Sequence, residues 1–128
     1  MKRKIKFRAW DKEDKIIFNV ARIDIADGNC YSHLFGSDIY DYWNNVELMQ
    51  YTGLKDKNGV EIYEGDIVRI DYGDGLLMGI MEFHNFAWCI KSKYKNDKNL
   101  YYPIFCEDID LIEILGNIYE NPELLKNK

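Results

Sequence analysis

A chain of 128 residues and 15.2 kDa has the length of one domain with one buried core. Its composition (47% hydrophobic, 15% aromatic and 30% charged) is that of a globular protein and excludes a disordered one. A net charge of −5 argues against non-specific attachment to bare nucleic acid, and the chain lacks the apolar run of about 18 residues that a membrane span needs.

The basic start, MKRKIKFRAWDKEDK, resembles the first part of a secretion signal, but charges interrupt it before an apolar segment forms. From there Ile5–Trp10 alternates, with Ile5, Phe7 and Ala9 on one side and Lys6, Arg8 and Trp10 on the other, as a half-buried strand does. The charged run Asp11–Lys15 then reads as a five-residue loop, and Ile5–Ile25 as an N-terminal β-hairpin. From Asp27 to Asn45 the alternation is lost. Ser37 is a candidate cap for a short helix over Ser37–Trp43, in an otherwise irregular connection.

Val46–Gln50 resumes as a strand. Asn58-Gly59 is the dipeptide favoured where a type I′ turn needs positive φ twice, so Val60–Ile62 is expected to fold back across it. At Tyr63-Glu64-Gly65-Asp66 a second turn is expected, with Gly65 supplying positive φ and Asp66 bonding its own turn. It leads into a strand over Ile67–Tyr72. Gly73-Asp74-Gly75 turns the chain into Leu76–His84, whose interior Gly79 suggests a bulge or sharp coil. A turn at Asn85 precedes a strand over Phe86–Lys91, then a polar, basic surface loop from Lys91 to Asn99. Leu100–Phe105 and Ile109–Ile118 read as closing strands, and Asn121-Pro122-Glu123 as the start of a short C-terminal helix. Many short strands at close spacing, without long helical periodicity, indicate an all-β barrel or sandwich.

Three blocks, IKFRAWD at Ile5–Asp11, LMQYTGLKDKNGVEIYEGDIV at Leu48–Val68 and LGNIYENPELL at Leu115–Leu125, resemble the YopX family of phage and prophage proteins of Gram-positive bacteria. The resemblance brackets nearly the whole chain. It implies an SH3-like small β-barrel with flanking elements, a single domain over residues 1–128 with its barrel core at about 46–119, and self-association. It implies no enzymatic activity.

Candidate chemistry is sparse. Cys30-x-x-His33, with His84 and Cys89, has residue types that hold zinc, but a second tight ligand pair is missing and a free cysteine also serves as a small core hydrophobe. No metal or other cofactor is therefore expected, nor a disulfide framework from three irregularly spaced cysteines, which suits the reducing cytoplasm of a bacterial host. Carboxylates cluster at Asp108, Asp110 and Glu113, and at Glu61, Glu64 and Asp66. Charged turns are ordinarily structural, so no catalytic residue is assigned, and an enzyme using Glu64 and Asp66 is the weakest of three readings. A nucleic-acid-binding accessory factor is the second, using Lys4, Lys6 and Arg8 beside Phe7 and Trp10, and Lys93, Lys95 and Lys98 beside Tyr94. The preferred reading is a non-enzymatic accessory protein that acts by self-association, as a homo-oligomer, and by contact with an unidentified host or phage protein. With Trp10, Trp43, Trp88 and ten tyrosines, the chain carries more aromatic side chains than a core of this size is expected to hide.

Overall fold

Two-residue alternation runs through the chain, and the computed structural model is accordingly built from strands; it describes residues 4–34, 37–42, 45–73, 75–94 and 98–125. The fold is all-β. Among the described residues the only helical pieces are 3-10 turns, and no helix is long and apolar enough to cross a membrane. The chain divides into two compact units, Met1–Tyr51 and Thr52–Lys128.

In the first unit, β1 (Phe7–Asp11) and β2 (Ile16–Asn19) form the N-terminal hairpin, in the register Ala9↔Phe18 and Asp11↔Ile16. Its loop is held by Asp11, whose Oδ1 accepts from the N–H groups of Glu13 and Asp14 at 2.9 Å. On its other side β1 pairs with the beginning of β6 (Val46–Lys55), opposing Ala9 to Leu48. The strand β3 (Arg22–Asp24) starts a second sheet of order β3-β4-β5 with β4 (Asn29–Leu34) and β5 (Ser37–Tyr42). Ala9, Phe18, Cys30 and Val46 form the core, with Val20, Ile23 and Leu48 against it.

The irregular segment and short helix expected between Asp27 and Asn45 are thus replaced by a β-hairpin. The seven residues Ser37–Trp43, the last of which lies outside the described residues, are too few for a helix that sustains itself. SDIYDY instead pairs with β4 residue for residue, Tyr40 against Tyr31 and Ile39 against Ser32.

In the second unit, the end of β6 pairs with β7 (Glu61–Tyr63). A five-stranded sheet follows in the order β11-β10-β9-β8-β12. Its strands are β8 (Asp66–Asp71), β9 (Leu76–His84), β10 (Ala87–Tyr94), β11 (Lys98–Pro103) and β12 (Ile112–Asn117). Ile62, Val68, Ile70, Met81, Ile90 and Ile112 make a fully buried core, packed about by Leu54, Leu77, Trp88, Ile104 and Ile114. Much of the tract expected as a basic loop is in fact strand: Lys93 opposes Asn99 and Tyr94 opposes Lys98.

The C-terminal helix is a single 3-10 turn over Pro122–Leu125. Four residues cannot complete α-helical i→i−4 bonding, and Leu124 N–H donates to the Asn121 carbonyl at 3.1 Å, three residues back. The Asn121 side chain is turned the other way and accepts from Asn117 N–H at 3.2 Å.

Candidate functional site

Asn58 and Gly59 do form a turn, but not the expected type I′. Gly59 has φ +82°, whereas Asn58 is absent from the non-glycine residues with positive φ. Gly59 N–H closes on the Asp56 carbonyl at 2.9 Å, and Asp56 N–H donates to the Val60 carbonyl at 2.8 Å. This is a three-residue hairpin loop with glycine at its one left-handed position. The residue that organises it was missed in the sequence: Asp56, buried, accepts from Asn58 and Val60 N–H at Oδ1 (both 2.9 Å) and from Ile114 N–H at Oδ2 (3.1 Å).

The second turn is as expected. Gly65 has φ +87°, and Asp66 Oδ2 accepts from Tyr63 N–H at 2.7 Å. Asp66 is buried and committed to this backbone bond, while Glu64 is half-buried beside it. Of the other carboxylate cluster, Glu113 is gripped by Arg69 directly across the β8–β12 ladder, with Nε at 2.9 Å and Nη2 at 2.8 Å. The side chain of Asp108 lies outside the described residues, and Asp110 is exposed.

The basic residues are differently disposed. Lys4 is exposed, but Lys6 and Arg8 are half-buried. The Lys6 Nζ stands 5.8 Å from the Tyr51 ring centre, and Arg8 Nε donates to Met49 Sδ at 3.4 Å. Lys95 lies outside the described residues, as do the side chains of Lys93 and Lys98, whose backbones belong to β10 and β11. Next to them, Lys91 is paired with Glu82 at 3.5 Å.

Of the cysteines, Cys30 is a core residue of the first unit. The Cys89 thiol faces the carbonyls of His84 (3.7 Å) and Ala87 (3.6 Å), while the His84 ring is stacked on Tyr101 at 3.6 Å. The side chain of His33 lies outside the described residues. Burial, reinforced by the Glu82 carboxylate, pushes the Cys89 thiol above its ordinary range. A raised pKa in the folded state favours the neutral thiol. Its contribution to stability is therefore full below the ordinary thiol pKa and is lost as pH rises through the folded value. Cys89 in the native protein is expected to resist iodoacetamide at pH 8, where the denatured chain is alkylated. Mass mapping of the Cys89 peptide reads this directly, and equal rates in both states would contradict it.

The feature that alternation did not predict lies at the β9–β10 connection. His84 opposes Ala87, so Asn85 and Phe86 form a two-residue loop. Both have positive φ, +49° and +68°, which is the type I′ pattern. Phe86 is therefore not the first residue of a strand but the apex of a turn, and it is 95% exposed. Just below it Phe83 opposes Trp88, with the rings edge-on at 5.1 Å, and Phe83 is 52% exposed. On the neighbouring strand Tyr102 opposes Ile90 and so shares this face. Phe105 follows soon after, and both have exposed rings.

Against known proteins, the family model described as YopX protein matches residues 6–126. The crystal structure of protein EF1440 from Enterococcus faecalis is 30% identical and has a TM-score of 0.56, over 98% of this chain and 100% of that one. The X-ray structure of protein yopX from Bacillus subtilis has a TM-score of 0.64 over 96% of this chain and 97% of that one; at 20% identity it bears on the fold alone. A mitochondrial NAD(P)H oxidoreductase of Dictyostelium discoideum, RTN4IP1, is 28% identical over 121 residues. These cover 89% of this chain but only 34% of that relative, so the chain spans about a third of its length.

Proposed function

The chain belongs to the YopX family, and from that membership we propose a non-enzymatic accessory protein of a phage or prophage that works in the host cytoplasm through protein contacts and self-association. One observation carries the reading. Phe86, at the turn between β9 and β10, is 95% exposed and lies outside the core cluster, and exposed large aromatics mark interfaces. On this reading the five-stranded sheet and the β6–β7 pair correspond to the SH3-like barrel of the family.

A nucleic-acid role is less well supported. Lys6 and Arg8 are engaged with Tyr51 and Met49, and Lys91 with Glu82. An oxidoreductase role is not proposed from the Dictyostelium likeness. Gly73 and Gly75 lie between two strands, β8 and β9, and not at the strand-to-helix turn that cradles a dinucleotide pyrophosphate. Catalysis at Glu64 and Asp66 has no more in its favour, since Asp66 already serves the Tyr63 N–H.

Gel filtration with light scattering tests the proposal. At tens of micromolar the protein is expected to run as an oligomer, and a single peak at the 15.2 kDa monomer mass would overturn self-association.

A further inference from the structure

Asn58-Gly59 is the only Asn-Gly pair in the chain, and such a pair is chemically labile. The main-chain nitrogen of the glycine attacks the asparagine Cγ and closes a five-membered imide, while the side-chain nitrogen leaves as ammonia. Glycine, with no Cβ, hinders that approach least. Water then opens the ring at either carbonyl. One opening gives aspartate; the other gives isoaspartate, with the main chain rerouted through the former side chain. The pair is open to water, since Asn58 and Gly59 are both exposed and an added Cβ at Gly59 would meet nothing within 4 Å among the described residues.

The loop geometry nevertheless opposes the reaction. Neither Lys57 nor Asn58 has positive φ, and Gly59 N–H donates to the Asp56 carbonyl at 2.9 Å. Residues 56–59 are therefore a type I turn, whose third residue, Asn58, has ψ of about 0°. That angle sets the Gly59 nitrogen beside the nitrogen of Asn58, whereas ring closure needs it beside Asn58 Cβ. Attack also requires the Gly59 nitrogen to lose its proton, which would leave it facing the electron-rich Asp56 carbonyl oxygen. The Asp56 carboxylate keeps this arrangement in place. Its Oδ1 accepts from Asn58 N–H and Val60 N–H, on either side of the reacting nitrogen, both at 2.9 Å. Asp56 is buried, and its Oδ2 accepts from Ile114 N–H at 3.1 Å, which ties the loop to β12.

We propose that Asn58 is a deamidation site gated by Asp56, closed in the folded loop and open to conversion when the Asp56 clasp releases. The conversion runs one way. Isoaspartate lengthens the main chain by one methylene, so Gly59 N–H and Val60 N–H no longer fall on their Asp56 acceptors, and either product adds a negative charge beside the Asp56 carboxylate. A loop that has reacted does not close again in the same form, and its attachment to β12 is weakened with it.

The rate at which the Asn58 amide becomes a carboxylate, followed by peptide mass mapping of the full chain at mildly alkaline pH, tests this. Native wild type is expected to convert about tenfold or more slower than the urea-unfolded chain, because only the open loop reacts. Asp56→Ala, kept at a temperature where circular dichroism shows it folded, is expected to convert about tenfold or more faster than native wild type. Asp56→Asn keeps an oxygen for the loop and is expected to stay close to wild type. Equal rates in native and unfolded wild type overturn the inference. So does a folded Asp56→Ala as slow as wild type, or an Asp56→Asn as fast as Asp56→Ala. Should Asp56→Ala fail to fold, hydrogen exchange in wild type decides. In urea below the unfolding transition, Asn58 conversion is expected to accelerate in step with Gly59 amide exchange, and conversion that ignores that exchange overturns the gate.

Discussion

Replacing Gly79 by alanine is expected to be the most damaging single-methyl change in the protein. Gly79 lies inside β9, opposite Val68 of β8. An added Cβ would stand 2.3 Å from the Lys91 carbonyl oxygen and 2.8 Å from Ile90 Cγ2. The first is backbone of β10, which is itself bonded on its far side to β11, so it cannot move aside as the end of a flexible side chain would. Overpacking ordinarily costs 1–3 kcal/mol, and a collision with the main chain of a central strand belongs at or above that range, about 3–5 kcal/mol. For a unit of this size that is a fall in thermal midpoint on the order of 15 °C or more. Urea unfolding followed by tryptophan fluorescence measures it, and a variant within about 1 kcal/mol of wild type would refute the close approach. On the β8 side the register runs unbroken through this glycine, whereas the β9–β10 pairing ends beside it at Ile80↔Lys91. Glycine is there so that the β10 backbone can come near.

The second large effect is expected at Asp56. Its carboxylate accepts three backbone N–H groups, two within its own turn and one from Ile114, 58 residues away in sequence. In Asp56→Ala all three donors lose their acceptor. Those of the turn recover water in part, while that of Ile114 lies on a half-buried strand. Charge-assisted bonds of this kind and the stranded donors together amount to about 3 kcal/mol. Asp56→Asn keeps an oxygen for the turn but presents an amide N–H₂ where Ile114 N–H needs an acceptor, and is expected to cost about 1–2 kcal/mol. The order wild type, Asn, Ala in denaturant midpoint is the result to look for. An alanine variant as stable as wild type would show that the turn holds without its carboxylate.

Alternation made most of the strands legible, because each half-buried strand repeats every two residues: the strands that begin near Phe7, Ile16, Val46, Ile67 and Leu76 are where it placed them. The N-terminal hairpin, however, ends at Asn19, and Arg22–Asp24 pairs in another sheet. The strand expected over Leu100–Phe105 is Lys98–Pro103, and the last strand starts at Ile112 after a 3-10 turn over Cys106–Leu111. The turn at Gly65-Asp66 was legible too, since a glycine needing positive φ stood beside an acid able to accept its own backbone. Asn58-Gly59 misled about turn type because the dipeptide cannot reveal that Asp56, two residues earlier, captures the loop and leaves one left-handed position instead of two. The β4–β5 hairpin was missed for want of clean alternation in NCYSHL and SDIYDY. Phe86 had no local signal at all. Its positive φ is imposed by the register of Trp88 on Phe83, which no inspection of Asn-Phe alone discloses.

The bonds that join the middle block to the closing block have a consequence for how the second unit folds. Lys57 N–H donates to the Ile112 carbonyl, Ile114 N–H to Asp56, and Ile118 N–H to the Gly65 carbonyl. The strands β8 to β11 form a meander, each next to its neighbour in sequence, and can zip together through short loops at little entropic cost. The strand β12 cannot. To reach β8 it must close a loop containing the whole meander, and contacts of such long range are made only after that entropy is met. Its docking is accordingly expected to be the late, slow event in folding, with the outer edge of β8 open to wrong pairing until it occurs; a substitution in β12 that speeds unfolding and leaves the folding rate unchanged is the expected result.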